Sequence, residues 1–211
     1  MTSGYATTSI ADLLDSLASA DPAPGGGAAA ALAGAMGVSL LLMVASMNKT
    51  RTGAPEEMTD LAAAAARLRL VRDELTTLVA TDPEAYRQVL TAYRLPKASA
   101  DEQAARRSAI ASAMRAATDA PLHTIRACVS ALRESVLITS VGNPNAITDA
   151  AVGVHLLIAA VRSGAMNVEI NIKGMTDAAY AAAATAERKE LIEQGEALAS
   201  EALAHALPRR V

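Results

Sequence analysis

The chain has no phenylalanine and no tryptophan, only four tyrosines and a single cysteine in 211 residues. A core without large aromatics must be filled by Ala, Leu, Val and Met, so its elements have to approach closely. The lone Cys128 excludes an intrachain disulfide and a cysteine-built zinc site. It lies in an apolar helical pattern and reads as a small buried hydrophobe. Charge is sparse as well: 19 Lys and Arg against 22 Asp and Glu give a formal net charge of -3. That balance argues against binding a nucleic-acid backbone, which needs concentrated basic residues. Met1-Thr-Ser-Gly-Tyr5 lacks the basic and then apolar regions of a secretory leader. His123, His155 and His205 are scattered, with no HExxH spacing or acidic neighbours, so no metal site is expected. No GxSxG elbow is present either.

What the chain does have is alanine, about a quarter of all residues, within a hydrophobic share of 52%. Alanine is the strongest helix former, and few segments alternate as strands do. The expectation is an all-α, single-domain helical bundle over residues 1–211, with six to eight helices. Ser9 with Asp12 caps a first helix to about Ala20, which Asp21-Pro-Ala-Pro-Gly-Gly-Gly27 breaks. From Ala28 to Met47 there is no charge. That length reaches the transmembrane threshold, but its Ala, Gly and Ser content fits a central buried helix better, or a subunit interface. Gly34 and Gly37 would let backbones approach. A third helix is expected from Glu56 to Val79, and Asp82-Pro83-Glu84 reads as the start of another, with Asp82 as its N-cap. Further helices follow over about 101–119, kinked or restarted at Pro121 and running to Ser140, then 146–165 and 177–205. Asn167 to Met175 reads as extended or irregular.

Against this background, Gly142-Asn-Pro-Asn-Ala-Ile-Thr-Asp149 stands out, echoed by Asn167-Val-Glu-Ile-Asn171. Buried amides and carboxylates need partners, so the cluster marks either a tight junction or a pocket for an amide-rich ligand. Asn145 or Thr148 can cap the following helix, and Asp149 falls in its favourable first turn. Gly25, Gly26 and Gly27 precede an uncharged helix, whose free N–H groups can hold an anion or carbonyl oxygen; a tight turn is the plainer role. They lack the Lys and Ser/Thr of a P-loop. Tyr86 and Tyr93 share a helix face with Asp82. Lys97, after a proline at a helix end, is either solvated or faces an anion. From spacing alone, enzyme and interaction module stay equally open.

Taken together, Pro22-Ala-Pro-Gly-Gly-Gly27, Asp82-x-x-x-Tyr86, Ala92-Tyr-Arg-Leu-Pro-Lys97, Thr118-Asp-Ala-Pro-Leu122, the Gly142–Asp149 island and Asn167–Asn171 resemble the cyclodeaminase/cyclohydrolase family of folate enzymes. The resemblance runs from about Ile10 to Arg188. It implies an all-helical homodimer in the cytoplasm and a tetrahydrofolate derivative as substrate. It implies no metal or other cofactor, and association with other folate enzymes as a partner class. The reaction implied is hydrolysis of 5,10-methenyltetrahydrofolate to 10-formyltetrahydrofolate. The alternatives are cyclisation of 5-formiminotetrahydrofolate with loss of ammonia, or a noncatalytic folate-binding or interaction protein. On this resemblance Asp149 is the first candidate for proton transfer and Asp82 the second, with Lys97 orienting a partner. Asn143, Asn145 and Asn171 would match the pterin, with Tyr86, Thr148 and Asn167 beside them. The glycines would admit a flat ring. Lys49 and Arg51 would meet the glutamate tail, although relatives carry a denser basic run followed by an aromatic where this chain has Lys49-Thr-Arg-Thr-Gly53.

Overall fold

A computed structural model describes residues 8–206; the N-terminal residues read for a leader lie outside the described residues. Six α-helices and one 3-10 turn follow in order: α1 (Ile10–Ala18), α2 (Gly26–Ala45), α3 (Pro55–Tyr93), α4 (Ala100–Val141), the 3-10 turn (Pro144–Ala146), α5 (Ile147–Lys173) and α6 (Ala178–Ala206). They pack as one all-α bundle. α2 is the central helix and lies against α3, α4 and α5, while α6 covers α4 and α5.

The small residues allow this packing. α2 and α5 run antiparallel and cross glycine on glycine. A Cβ on Gly37 would come 2.7 Å from the Gly153 carbonyl oxygen, and one on Gly153 would come 2.9 Å from that of Gly37. A Cβ on Gly34 would lie 2.7 Å from Cys128 Sγ, where α2 meets α4. Cys128 is fully buried, and burial pushes its thiol up to about 12, so it is inert packing, as expected from its apolar setting. α2 and the Pro144–Lys173 stretch are both long and apolar enough to cross a membrane. Yet 61% and 50% of their most apolar windows are buried inside the bundle, the mark of core helices. α6 is held to α4 by Arg126–Glu187, at 2.5 and 2.8 Å, and by Tyr180 Oη donating to Asp119 at 2.5 Å.

Two expectations are corrected and one alternative, a restart at Pro121, is removed. Pro83 does not open a helix: it is buried inside α3, which runs unbroken to Tyr93, so Asp82 is not an N-cap. Pro121 is likewise buried inside the continuous α4. A proline costs a helix one hydrogen bond and a ring clash, and here both rings pack into the interior instead of ending the element. The stretch from Asn167 to Lys173 is not irregular but the last two turns of α5. Asn167 satisfies its own amide within the helix, donating from Nδ2 to Ser163 O at 2.8 Å. Ser9 caps α1 as read, and Ser99 with Glu102 forms a full capping box at the start of α4.

Candidate active site

The first turn of α2, the C-terminal third of α3 and the last turns of α5 meet at one end of the bundle. They enclose a cavity of about 300 Å³. Gly25, Gly26 and Gly27 form its floor, Asp82 and Tyr86 come from α3, and Asn167 and Asn171 come from α5. The continuity of α3 through Pro83 and of α5 through Asn171 puts these side chains there. An N-cap at Asp82, or a loop after Asn167, would have turned them elsewhere.

Gly27 owes its identity to contact. A Cβ there would collide with the Asp82 carboxylate. Asp82 therefore sits directly against the N-terminal turn of α2, among free backbone N–H groups. Burial pushes its carboxyl above its ordinary value, and the Ala28 backbone N–H pulls the other way without cancelling the rise. Among the described carboxylates with a shifted pKa, Asp82 is the one shifted upward; Glu57, Glu169, Asp177 and Glu187 are held down by hydrogen bonds and cations. A carboxyl raised toward neutrality and facing a cavity is suited to taking and returning a proton.

The two asparagines are each anchored on one side. Asn171 Nδ2 donates to Ala117 O on α4 at 2.6 Å, as Asn167 Nδ2 does to Ser163 O. A carbonyl can only accept, so both amides are fixed with nitrogen inward. Neither Oδ1 accepts a hydrogen bond from another described residue. The cavity wall thus offers two amide oxygens and a carboxyl group, an arrangement suited to a ligand edge rich in N–H donors. Pro22, Ala23 and Ile170, inside the quoted motifs but given no role there, also line the cavity, as does Ala117, which the sequence reading did not single out. The neighbouring Thr118-Asp-Ala-Pro-Leu122 motif was the available signal for Ala117.

The remaining predicted residues lie elsewhere. Asn143, Asn145, Thr148 and Asp149 sit around the start of α5, with Lys49 and Arg51 in the loop beside them. Helical rise along α5 puts Asp149 about 33 Å from Asn171 within one chain. Asn143 is spent locally: its Oδ1 accepts from the Asn145 N–H at 3.0 Å, and its Nδ2 faces Met47 Sδ at 3.3 Å. Arg51 caps the end of α4, donating from its backbone N–H to Val141 O at 2.8 Å and from Nη2 to Thr139 O at 2.9 Å. Lys49, Asn145 and Thr148 are exposed. Lys97 is exposed in the turn between α3 and α4. His155 projects outward from α5.

A helical bundle with a small cavity lined by one half-buried carboxyl and two asparagines suits the binding of a compact polar ligand by an all-α protein. The profile of the family described as Formiminotransferase-cyclodeaminase matches residues 9–190, and the chain belongs to that family, whose members are folate-processing enzymes. It is 39% identical to methenyltetrahydrofolate cyclohydrolase of Methylorubrum extorquens over 90% of this chain and 91% of that protein. It is 29% identical to formimidoyltransferase-cyclodeaminase of Gallus gallus over 92% of this chain but only 37% of that longer protein. The fold matches the crystal structure of formiminotetrahydrofolate cyclodeaminase from Thermotoga maritima with a TM-score of 0.84 at 25% identity, over 94% of this chain and 96% of that one.

Proposed function

We propose that the chain hydrolyses 5,10-methenyltetrahydrofolate to 10-formyltetrahydrofolate, with Asp82 as the proton-transfer group. The observation that carries this is the cavity that sets a raised carboxyl opposite two anchored amide oxygens. The full-length similarity to a methenyltetrahydrofolate cyclohydrolase supports the choice of reaction. The aminopyrimidinone edge of a pterin carries several N–H donors, which suit the α5 asparagines. The bridge carbon would then face Asp82 across the cavity. The Asp82 carboxylate takes a proton as water adds to the bridge carbon. N5 accepts a proton as the C–N5 bond breaks, and the hydroxyl proton leaves as the formyl C=O forms. The balance is one water consumed and one proton released. Gly27 keeps the α2 backbone close enough to desolvate the carboxyl.

A second reading, cyclisation of 5-formiminotetrahydrofolate with loss of ammonia, is favoured by the likeness to the Thermotoga maritima cyclodeaminase. The same carboxyl would serve it by protonating the departing amine. One assay pair on purified protein separates the two: decay of methenyltetrahydrofolate absorbance, and ammonia release from the formimino compound. The first, above its spontaneous rate, without the second supports the cyclohydrolase. Neither activity would overturn both readings and leave a noncatalytic binder.

The proposal includes a homodimer in the cytoplasm. Met36 and Met43 on α2 and Val152 on α5 are 51%, 41% and 50% exposed, beside an apolar groove of about 440 Å³ that Leu40 and Leu156 help to line. Such a face on the two most apolar helices suits an isologous contact. Met36→Lys with Met43→Lys should convert the dimer to a monomer in light scattering.

A further inference from the structure

Two buried prolines sit inside continuous helices, and the one in α4, Pro121, stands close to the cavity without lining it. In a regular helix each carbonyl accepts from the N–H four residues on. Ala117 O would take the N–H of residue 121, and residue 121 is a proline, which has none. The ring also crowds the carbonyl four residues back, and so turns it out of the helix ladder. A backbone oxygen freed between packed helices has to find another donor. Asn171 Nδ2 on α5 is that donor, at 2.6 Å.

Gly164 brings the two helices together for this contact. A Cβ there would lie 2.8 Å from Ile125 Cγ1 and 3.3 Å from Pro121 O, so its absence lets α5 lie directly on the proline turn of α4. Asn171 follows Gly164 by seven residues, two turns along the same face of α5. Ala117 precedes Pro121 by four on the antiparallel α4. The asparagine therefore arrives opposite the opened carbonyl. Asn167 needs no such opening, because it reaches Ser163 O alongside its own helix; Asn171 has to reach a carbonyl on another one. A free amide can present either end, since its oxygen and nitrogen differ little in shape. Ala117 O can only accept, so the bond commits Nδ2 to α4 and leaves Oδ1 for a ligand. We infer that Pro121 is a positioning residue for the ligand site: by withholding an N–H it opens Ala117 O toward α5 and fixes the Asn171 amide with its oxygen toward the ligand. This rests on the reading of the cavity as the folate site.

The test restores the N–H. Pro121→Ala and Pro121→Val both do so, one with less side-chain volume than the ring and one with more. Each should close the ladder onto Ala117 O and raise KM for methenyltetrahydrofolate about threefold, the worth of one weakened hydrogen bond. Turnover should keep its kcat within about twofold, because the proton-transfer group is untouched. In an Asn171→Ala background the same substitutions should change KM by less than about 1.5-fold, since the group they act through is gone. A second readout needs no folate. The Asn171 side-chain amide, identified in NMR spectra by its loss in Asn171→Ala, should exchange with water about tenfold faster in Pro121→Ala than in the unaltered protein. An unchanged KM in the folded position-121 variants overturns the inference, as does a KM rise of equal size in the Asn171→Ala background. Independently of any position-121 variant, an Asn171 amide that exchanges in the unaltered protein as fast as that of the exposed Asn145 overturns it too. Failure of the unaltered protein to act on methenyltetrahydrofolate would sink the proposed reaction alone, and amide exchange would still decide the role of Pro121.

Discussion

The two ends of the α2–α5 pair hold similar residues in opposite conditions. At the start of α5, Asn143 and Arg51 spend their side-chain groups on neighbouring backbone and sulfur, closing a junction between α4 and α5. At the end of α5, Asn167 and Asn171 spend only their nitrogens, and both line a cavity that also holds a half-buried carboxyl. What separates the two ends is where the remaining bonding capacity lies, at the surface for Asn145 and Thr148 and in a cavity for Asn167 and Asn171. The largest test of that contrast pairs two aspartates. Asp82→Asn should lower kcat/KM by about 10²- to 10⁴-fold, the usual worth of a general acid–base, whereas Asp149→Asn should stay within a few fold. A comparable loss at Asp149 would mean that the island of a second subunit reaches this cavity across the α2–α5 face.

Two glycines sharpen the contrast at the next scale. Gly27→Ala must displace the Asp82 carboxylate, and should cut kcat/KM at least tenfold while the protein stays folded by circular dichroism. Gly53, near the island, is needed for a different reason. Its φ is +82°, and a Cβ there would meet nothing within 4 Å. Gly53→Ala should therefore cost about 1–2 kcal/mol of stability in urea unfolding with kcat/KM unchanged. Equal activity losses at both positions would remove the distinction. A smaller step compares amides. Asn171→Ala loses an acceptor for the ligand and should raise KM about tenfold. Asn143→Ala should leave KM alone and cost about 1 kcal/mol of stability as a lost cap.

Much of this was legible in the sequence. The alanine content, the uncharged run from Ala28 and the lone Cys128 gave the all-α bundle and its central helix, because helix propensity and burial are local properties. The glycines, Asp82, Tyr86, Asn167 and Asn171 were each named for one ligand, but together with the island, Lys49, Arg51 and Lys97, which do not line their cavity. Asp82 before a proline looks like a cap, and two asparagines look like a loop, since both residue types weaken helices. Only tertiary packing keeps α3 helical through Pro83 and α5 helical through Asn171. Within the island, Asn143 is bonded to a partner far away in sequence, Met47, which no local pattern reveals.

The smallest expected effect concerns pH, and it turns on the sign of the shift at Asp82. Burial raises its folded carboxyl above its ordinary value. The native state therefore holds the proton more tightly than the unfolded chain does. Below the unfolded value of about 3.9 both states are protonated and the site carries no charge penalty. As pH rises from there through the raised folded value, the native state must bury a charge and loses stability. Asp82→Asn removes that cost, so the variant should melt slightly above the unaltered protein at pH 8, with the gap closing toward pH 4. Turnover should move the opposite way, rising through the same window as the base form fills. If Asp82→Asn is less stable than the unaltered protein at pH 8, the carboxylate is a net structural partner of the α2 N-terminus, and the two ends of the molecule are more alike than their open oxygens imply.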